Sequence, residues 1–138
     1  MPLITVTVAT PHLKVLPRAE IAATVTDLAA RLLRKDPKVT AVIVERVAPE
    51  NWFAGGPSLL ESWLASFWID VHVTDGTNTR EEKEEFIAAL FPAMEKLLGP
   101  LHEESYVHVD EVRGDAYGYG GLTQARRHSP RKLALASV

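Results

Sequence analysis

Residues 4–8 alternate apolar and polar, with Ile4, Val6 and Val8 on one side and Thr5 and Thr7 on the other. This is the period of a half-buried strand. The period then lengthens to about 3.6, and Ile21, Val25, Leu28, Leu32 and Leu33 form the apolar stripe of a helix. Pro17 stands where a first helical turn tolerates proline, and the pattern predicts a stop near Asp36-Pro37. Val42 and Val44 restore the period of two, so the first half reads strand, helix, strand. The second half repeats the plan. Phe67, Ile69, Val71 and Val73 alternate with Trp68, Asp70, His72 and Thr74 before an Asp75-Gly76 turn. Thr79 and Glu82 have capping-box spacing, and the helical stripe runs through Phe86, Ile87, Leu90, Phe91, Met94, Leu97 and Leu98 to a stop at Gly99-Pro100. Pro92 lies inside that stripe and predicts a kink.

The halves agree residue by residue at an offset of 65. Ile4, Val6 and Val8 fall on Ile69, Val71 and Val73; Val42, Val44 and Val47 fall on Val107, Val109 and Val112; Gly55-Gly56 falls on Gly120-Gly121. Trp52 and Tyr117 match in kind. The prediction is an α+β fold: two βαβ units, residues 1–65 and 66–128, sharing one domain, followed by a C-terminal tail at 129–138. Two such units build a four-stranded sheet with both helices on one face. So short a chain has no third layer for the other face, which is expected to be covered by partner subunits in a closed ring.

Composition narrows the function classes. Hydrophobic residues make up 46% and charged residues 24%, enough for a packed core, and the net charge of -3 provides no positive field for nucleic acid or an anionic membrane. The basic stretch Arg126 to Lys132 is read as a solvated tail. Absence of cysteine rules out disulfides and a thiolate nucleophile and agrees with a cytoplasmic location. No apolar run approaches the ~20 residues of a membrane span. The five histidines lack metal-ligand spacing, and the Gly-Gly pairs lack the strand-to-helix setting of a phosphate loop, so neither metal nor cofactor is assigned.

The start Met1-Pro2-Leu3-Ile4, the duplicated βαβ plan and the endings Trp52-Phe53-Ala54-Gly55-Gly56 and Tyr117-Gly118-Tyr119-Gly120-Gly121 together resemble the tautomerase superfamily. That superfamily includes 4-oxalocrotonate tautomerase and macrophage migration inhibitory factor. The likeness runs from Pro2 to about Arg127 and implies two fused units in a homotrimer. It also implies keto-enol isomerisation with Pro2, freed by removal of Met1, as general base. The chemistry is consistent with that role: an α-amino group titrates near 7.7–8, and burial lowers the value further, leaving a neutral base near neutral pH.

A keto-acid substrate needs donors for its developing enolate and a cation for its carboxylate. By alignment with the migration inhibitory factor, the resemblance implies Lys35 as that cation, with Tyr106 and His108 at pocket positions on the last strand; Trp52 and Tyr117 are candidate apolar walls. Two arginines of 4-oxalocrotonate tautomerase have no basic counterpart, since Ala41 or Tyr106 and Thr77 stand there. The expected substrate is therefore a monocarboxylate or aromatic enol such as phenylpyruvate. Two alternatives remain open: a dehalogenase or decarboxylase of the same superfamily, using a protonated Pro2 as acid, and a non-catalytic oligomeric binding or signalling module.

Overall fold

A computed structural model describes residues 2–128; Met1 and the predicted tail at 129–138 lie outside the described residues. The order is β1 (Leu3–Ala9), α1 (Arg18–Leu32), β2 (Ala41–Arg46), α2 (Leu59–Ser62), β3 (Ser66–Thr74), α3 (Arg80–Leu98), β4 (Tyr106–Val112), β5 (Gly118–Tyr119), β6 (Leu122–Thr123) and α4 (Gln124–Arg127). Strands β1 to β4 form one sheet in the order β2-β1-β3-β4. Each βαβ unit contributes a parallel pair, β1 with β2 and β3 with β4, and the pairs join where β1 runs antiparallel to β3. This is the predicted α+β architecture.

Burial follows the alternation. Ile4, Val6, Val8, Phe67, Ile69, Val71 and Val73 point from the central strands into one core with Ile21, Val25 and Leu28 of α1 and Phe86, Leu90, Met94 and Leu98 of α3. Both long helices therefore cover the same face of the sheet.

The helix ends differ in how they are made. For α3 the capping box is present: Thr79 Oγ1 accepts from Glu82 N at 3.1 Å, and the Glu82 carboxylate accepts from Thr79 N at 2.8 Å. The helix runs on through the exposed Pro92 to Leu98, and Gly99 at φ +90° ends it. By contrast α1 begins after Pro17 with no side-chain cap. It ends at Leu32, earlier than the sequence pattern suggests, because Arg34 takes a left-handed φ of 60° and reverses the chain before Pro37 is reached. A single 3₁₀ turn, Pro37–Val39, then leads into β2, with Asp36 accepting from Lys38 N at 2.9 Å.

The other face of the sheet presents three cross-strand rows set by the register. Ala41, Leu3, His72 and Asp110 form one row, Ile43, Thr5, Asp70 and His108 the next, and Glu45, Thr7, Trp68 and Tyr106 the third. Leu3, Ile43, Trp68 and Tyr106 are each more than a third exposed on this face.

Candidate functional site

Pro2 leads directly into β1 and is buried. Its carbonyl accepts from Ala41 N at 3.2 Å, which extends the β1–β2 pairing one residue toward the start of the chain. The next backbone donor, Leu3 N, goes to the Tyr117 phenol oxygen at 2.9 Å, and that phenol reaches the His72 carbonyl at 3.3 Å. Tyr117 also stacks on the His72 ring, with centroids 6.3 Å apart. Burial pushes its phenol above the ordinary tyrosine pKa, and the Leu3 amide opposes this. The stretch after β4 is thereby fastened over the first residues of the chain.

Between these parts lies a cleft of about 430 Å³ lined by Pro2, Leu3, Lys38, Val39, Thr40, Ala41 and Tyr117 to Tyr119. Its lining is mainly apolar, broken by Lys38, Thr40, Tyr117 and Tyr119. The local backbone accounts for its shape. Gly118 lies so close to Leu122 that any side chain would meet the Leu122 carbonyl oxygen at 2.0 Å, so only glycine admits the β5–β6 hairpin that carries Tyr119. Arg127 braces the hairpin from behind, its guanidinium 3.9 Å from the Tyr119 ring centre and its Nη2 donating to the Tyr119 carbonyl at 2.9 Å.

The structure brings together two of the residues anticipated from sequence, Pro2 and Tyr117. The others stand elsewhere in the single chain. Lys35 Nζ donates to Thr77 Oγ1 at 3.0 Å in a different pocket, lined also by Thr74, Gly114, Gln124 and His128. Burial lowers its ammonium pKa, while the carboxylate of Glu82 works in the opposite direction. Tyr106 and His108 lie on β4, two strands away from β1. The Tyr106 hydroxyl donates to Glu104, which holds its proton on and raises its pKa. His108 Nδ1 lies 3.3 Å from Asp70 Oδ1, while His72 stands 2.9 Å from Asp70 and 3.7 Å from Asp110, so acids and histidines alternate across β3 and β4. Among the described residues no group of three or more such side chains is placed to hold a metal ion. Trp52 sits at the opposite end of the sheet from Pro2, packed with Ala9, Ala54 and Leu59.

Lys38 and Tyr119 line the cleft although sequence reading passed over them. The sequence carried no signal for Lys38, because the 3₁₀ turn Pro37–Val39 is what puts it at this cleft while Lys35 lines a different pocket. Among the described residues no helix is long and apolar enough to cross a membrane.

Comparison with known proteins agrees with this architecture. A family model described as tautomerase enzyme matches residues 2–61. No curated protein matches the sequence. Among solved structures, a fused 4-OT described as a symmetric trimer superposes with a TM-score of 0.77 at 18% identity, covering 91% of this chain and 98% of that one. A native fused 4-OT gives 0.74 at 21% identity over 88% and 95% of the two chains. A macrophage migration inhibitory factor-like protein from Entamoeba histolytica gives 0.71 at 19% identity over 88% and 97%.

Proposed function

From a tautomerase family-model match over residues 2–61 and a fold shared with fused 4-OT structures, we propose a cofactor-independent keto-enol isomerase in which Pro2, exposed by removal of Met1, is the general base. One observation carries the reading: Pro2 is buried at the head of β1 and forms the wall of a largely apolar cleft of about 430 Å³. A secondary amine there begins near the ordinary α-amino pKa of about 8 and is pushed down by desolvation, so it is neutral near pH 7. It takes a proton from the carbon beside the substrate carbonyl and returns it at another position, which requires no redox partner.

Substrates are small 2-keto acids and their enols, of which phenylpyruvate is the model compound. The Tyr117 phenol, which accepts from Leu3 N and donates to the His72 carbonyl, borders the cleft where such a molecule would sit. We further propose that the active form is a homotrimer. The exposed apolar residues Leu3, Ile43, Trp68 and Tyr106 on the bare sheet face favour cover by other copies. In that assembly Tyr106 and His108 serve the cleft of a neighbouring copy rather than their own.

The test is ketonisation of enolic phenylpyruvate by protein whose amino terminus has been identified by mass spectrometry. Proline-terminated wild type turns over, and Pro2→Ala at equal concentration loses about 10² to 10⁴ of the rate. Equal rates for the two proteins overturn the mechanism and leave a binding module.

A further inference from the structure

The peptide group that joins Pro2 to Leu3 is held from both sides. Its carbonyl accepts from Ala41 N of β2 at 3.2 Å, and its N–H donates to the Tyr117 phenol oxygen at 2.9 Å. We propose that the Tyr117 hydroxyl is a positioning group for Pro2: it fixes the plane of this peptide and thereby aims the ring nitrogen. The inference rests on the tautomerase reading of the cleft and adds to it a residue that acts on the base rather than on the substrate.

The hydroxyl is a bridge between two strands. Leu3 and His72 are the last pair of the β1–β3 register at this end, and the phenol accepts from Leu3 N while donating to the His72 carbonyl at 3.3 Å. Its ring stacks on that of His72, with centroids 6.3 Å apart, so the oxygen is carried on a rigid support. Burial raises the phenol above the ordinary tyrosine pKa, so it stays neutral near pH 7 and keeps both bonds. Because its proton goes to a main-chain carbonyl, the hydroxyl orders the backbone and is not the acid that protonates the substrate. The peptide itself is planar. With its carbonyl and its N–H both tied, one torsion, that about the Cα–C bond of Pro2, is left to move the ring nitrogen. Reaction geometry is steep in such movements: a misplacement of about 1 Å costs on the order of 10² in rate.

The repeat supplies an internal contrast. At the offset of 65 the counterpart of Tyr117 is Trp52 and that of Leu3 is Trp68. An indole N–H only donates, so Trp52 has no atom to accept an amide proton, and it packs with Ala9, Ala54 and Leu59 instead. Phe67, the counterpart of Pro2, offers only an amide nitrogen, so nothing there needs aiming. The accepting oxygen stands at the end where a main-chain nitrogen is asked to react.

The experiment compares wild type, Tyr117→Phe and Pro2→Ala as full chains with amino termini identified by mass spectrometry. Phenylpyruvate ketonisation is followed against pH where all three are fully folded, and amide exchange of Leu3 and Thr5 is read by NMR. Tyr117→Phe keeps the ring and loses only the hydroxyl. Its kcat is expected to fall about tenfold, with KM within about twofold and the acid limb of kcat/KM, which reports the free amine, unmoved. Exchange of the Leu3 amide accelerates about tenfold, on the scale of one hydrogen bond, while that of Thr5, further along β1, stays within about threefold. An unchanged kcat, a loss confined to KM, or a displaced acid limb, which would make the phenol a tuner of the amine, overturns the role. So does a Leu3 amide that exchanges in wild type as fast as an unprotected one, a result that needs no variant to fold. The two proposals fail distinguishably. Full turnover by Pro2→Ala removes the base and the positioning role with it, while an inactive Pro2→Ala beside a fully active Tyr117→Phe removes the role of Tyr117 alone.

Discussion

The two ends of the β1–β3 pair are related by the 65-residue repeat, yet one is open and the other is filled. At the open end stand Pro2, the Tyr117 phenol and a cleft. At the filled end the counterpart of Pro2 is Phe67, 1% exposed, with its ring 6.3 Å from that of Phe91. Trp52 takes the place of Tyr117, and its indole packs with Ala9, Ala54 and Leu59 instead of holding a backbone amide. The backbone plan is nearly the same in both halves, so side-chain volume and covalent connection account for the difference. The nitrogen of Phe67 is an amide in a continuous chain and has no basicity to tune, so filling that end removes no chemistry and adds buried apolar surface.

Three changes sharpen or break this contrast. The largest effect is expected for Phe67→Ala, which leaves a cavity in the core and costs about 3–5 kcal/mol, read from urea unfolding; Pro2→Ala costs less than about 1 kcal/mol in the same assay. Comparable losses would mean that the two ends are not open and filled in the sense described. Next, Thr79→Ala removes the cap of α3 and is expected to cost about 1 kcal/mol by the same measurement. A substitution of Pro17 at the uncapped start of α1 has no such hydrogen bond to lose, so a larger effect there would contradict the asymmetry of the helix starts.

The smallest effect separates Tyr117 from Trp52. Burial raises the Tyr117 phenol, so the folded state favours its neutral form. Its contribution to stability is complete below the ordinary tyrosine value of about 10 and is lost as pH rises through the higher folded value. Ultraviolet titration should show a late-ionising tyrosine that disappears in Tyr117→Phe, and stability of that variant should fall less at alkaline pH. A titration curve unchanged by the substitution would contradict the burial of this phenol.

Much of the fold was legible because alternation and helical stripes are local and were written twice. Ile4, Val6 and Val8 marked one strand, Phe67 to Val73 another, and Thr79 with Glu82 announced the start of α3. The end of α1 was less legible: Arg34 makes the left-handed turn without the glycine that usually signals one. The four-residue α2, capped by Ser58, is too short for any hydrophobic period to reveal. At the candidate site, Pro2 and Tyr117 could be named from sequence because the repeat placed them at the start of a strand and in a Gly-Gly hairpin. Lys38 could not, since which of two lysines faces the cleft depends on a single 3₁₀ turn. The place proposed for Tyr106 and His108 is a matter of assembly, and no periodicity within one chain encodes it.

The bond from Ala41 to the Pro2 carbonyl gives the proposed mechanism a mechanical side. A ring nitrogen in the main chain has no rotamers to choose among, so strand registry does the aiming that side-chain packing does for a histidine or glutamate. Small slips between β1 and β2 would then appear as changes in turnover before they appeared as changes in melting temperature, and the kinetics of this protein would serve as a gauge of sheet alignment.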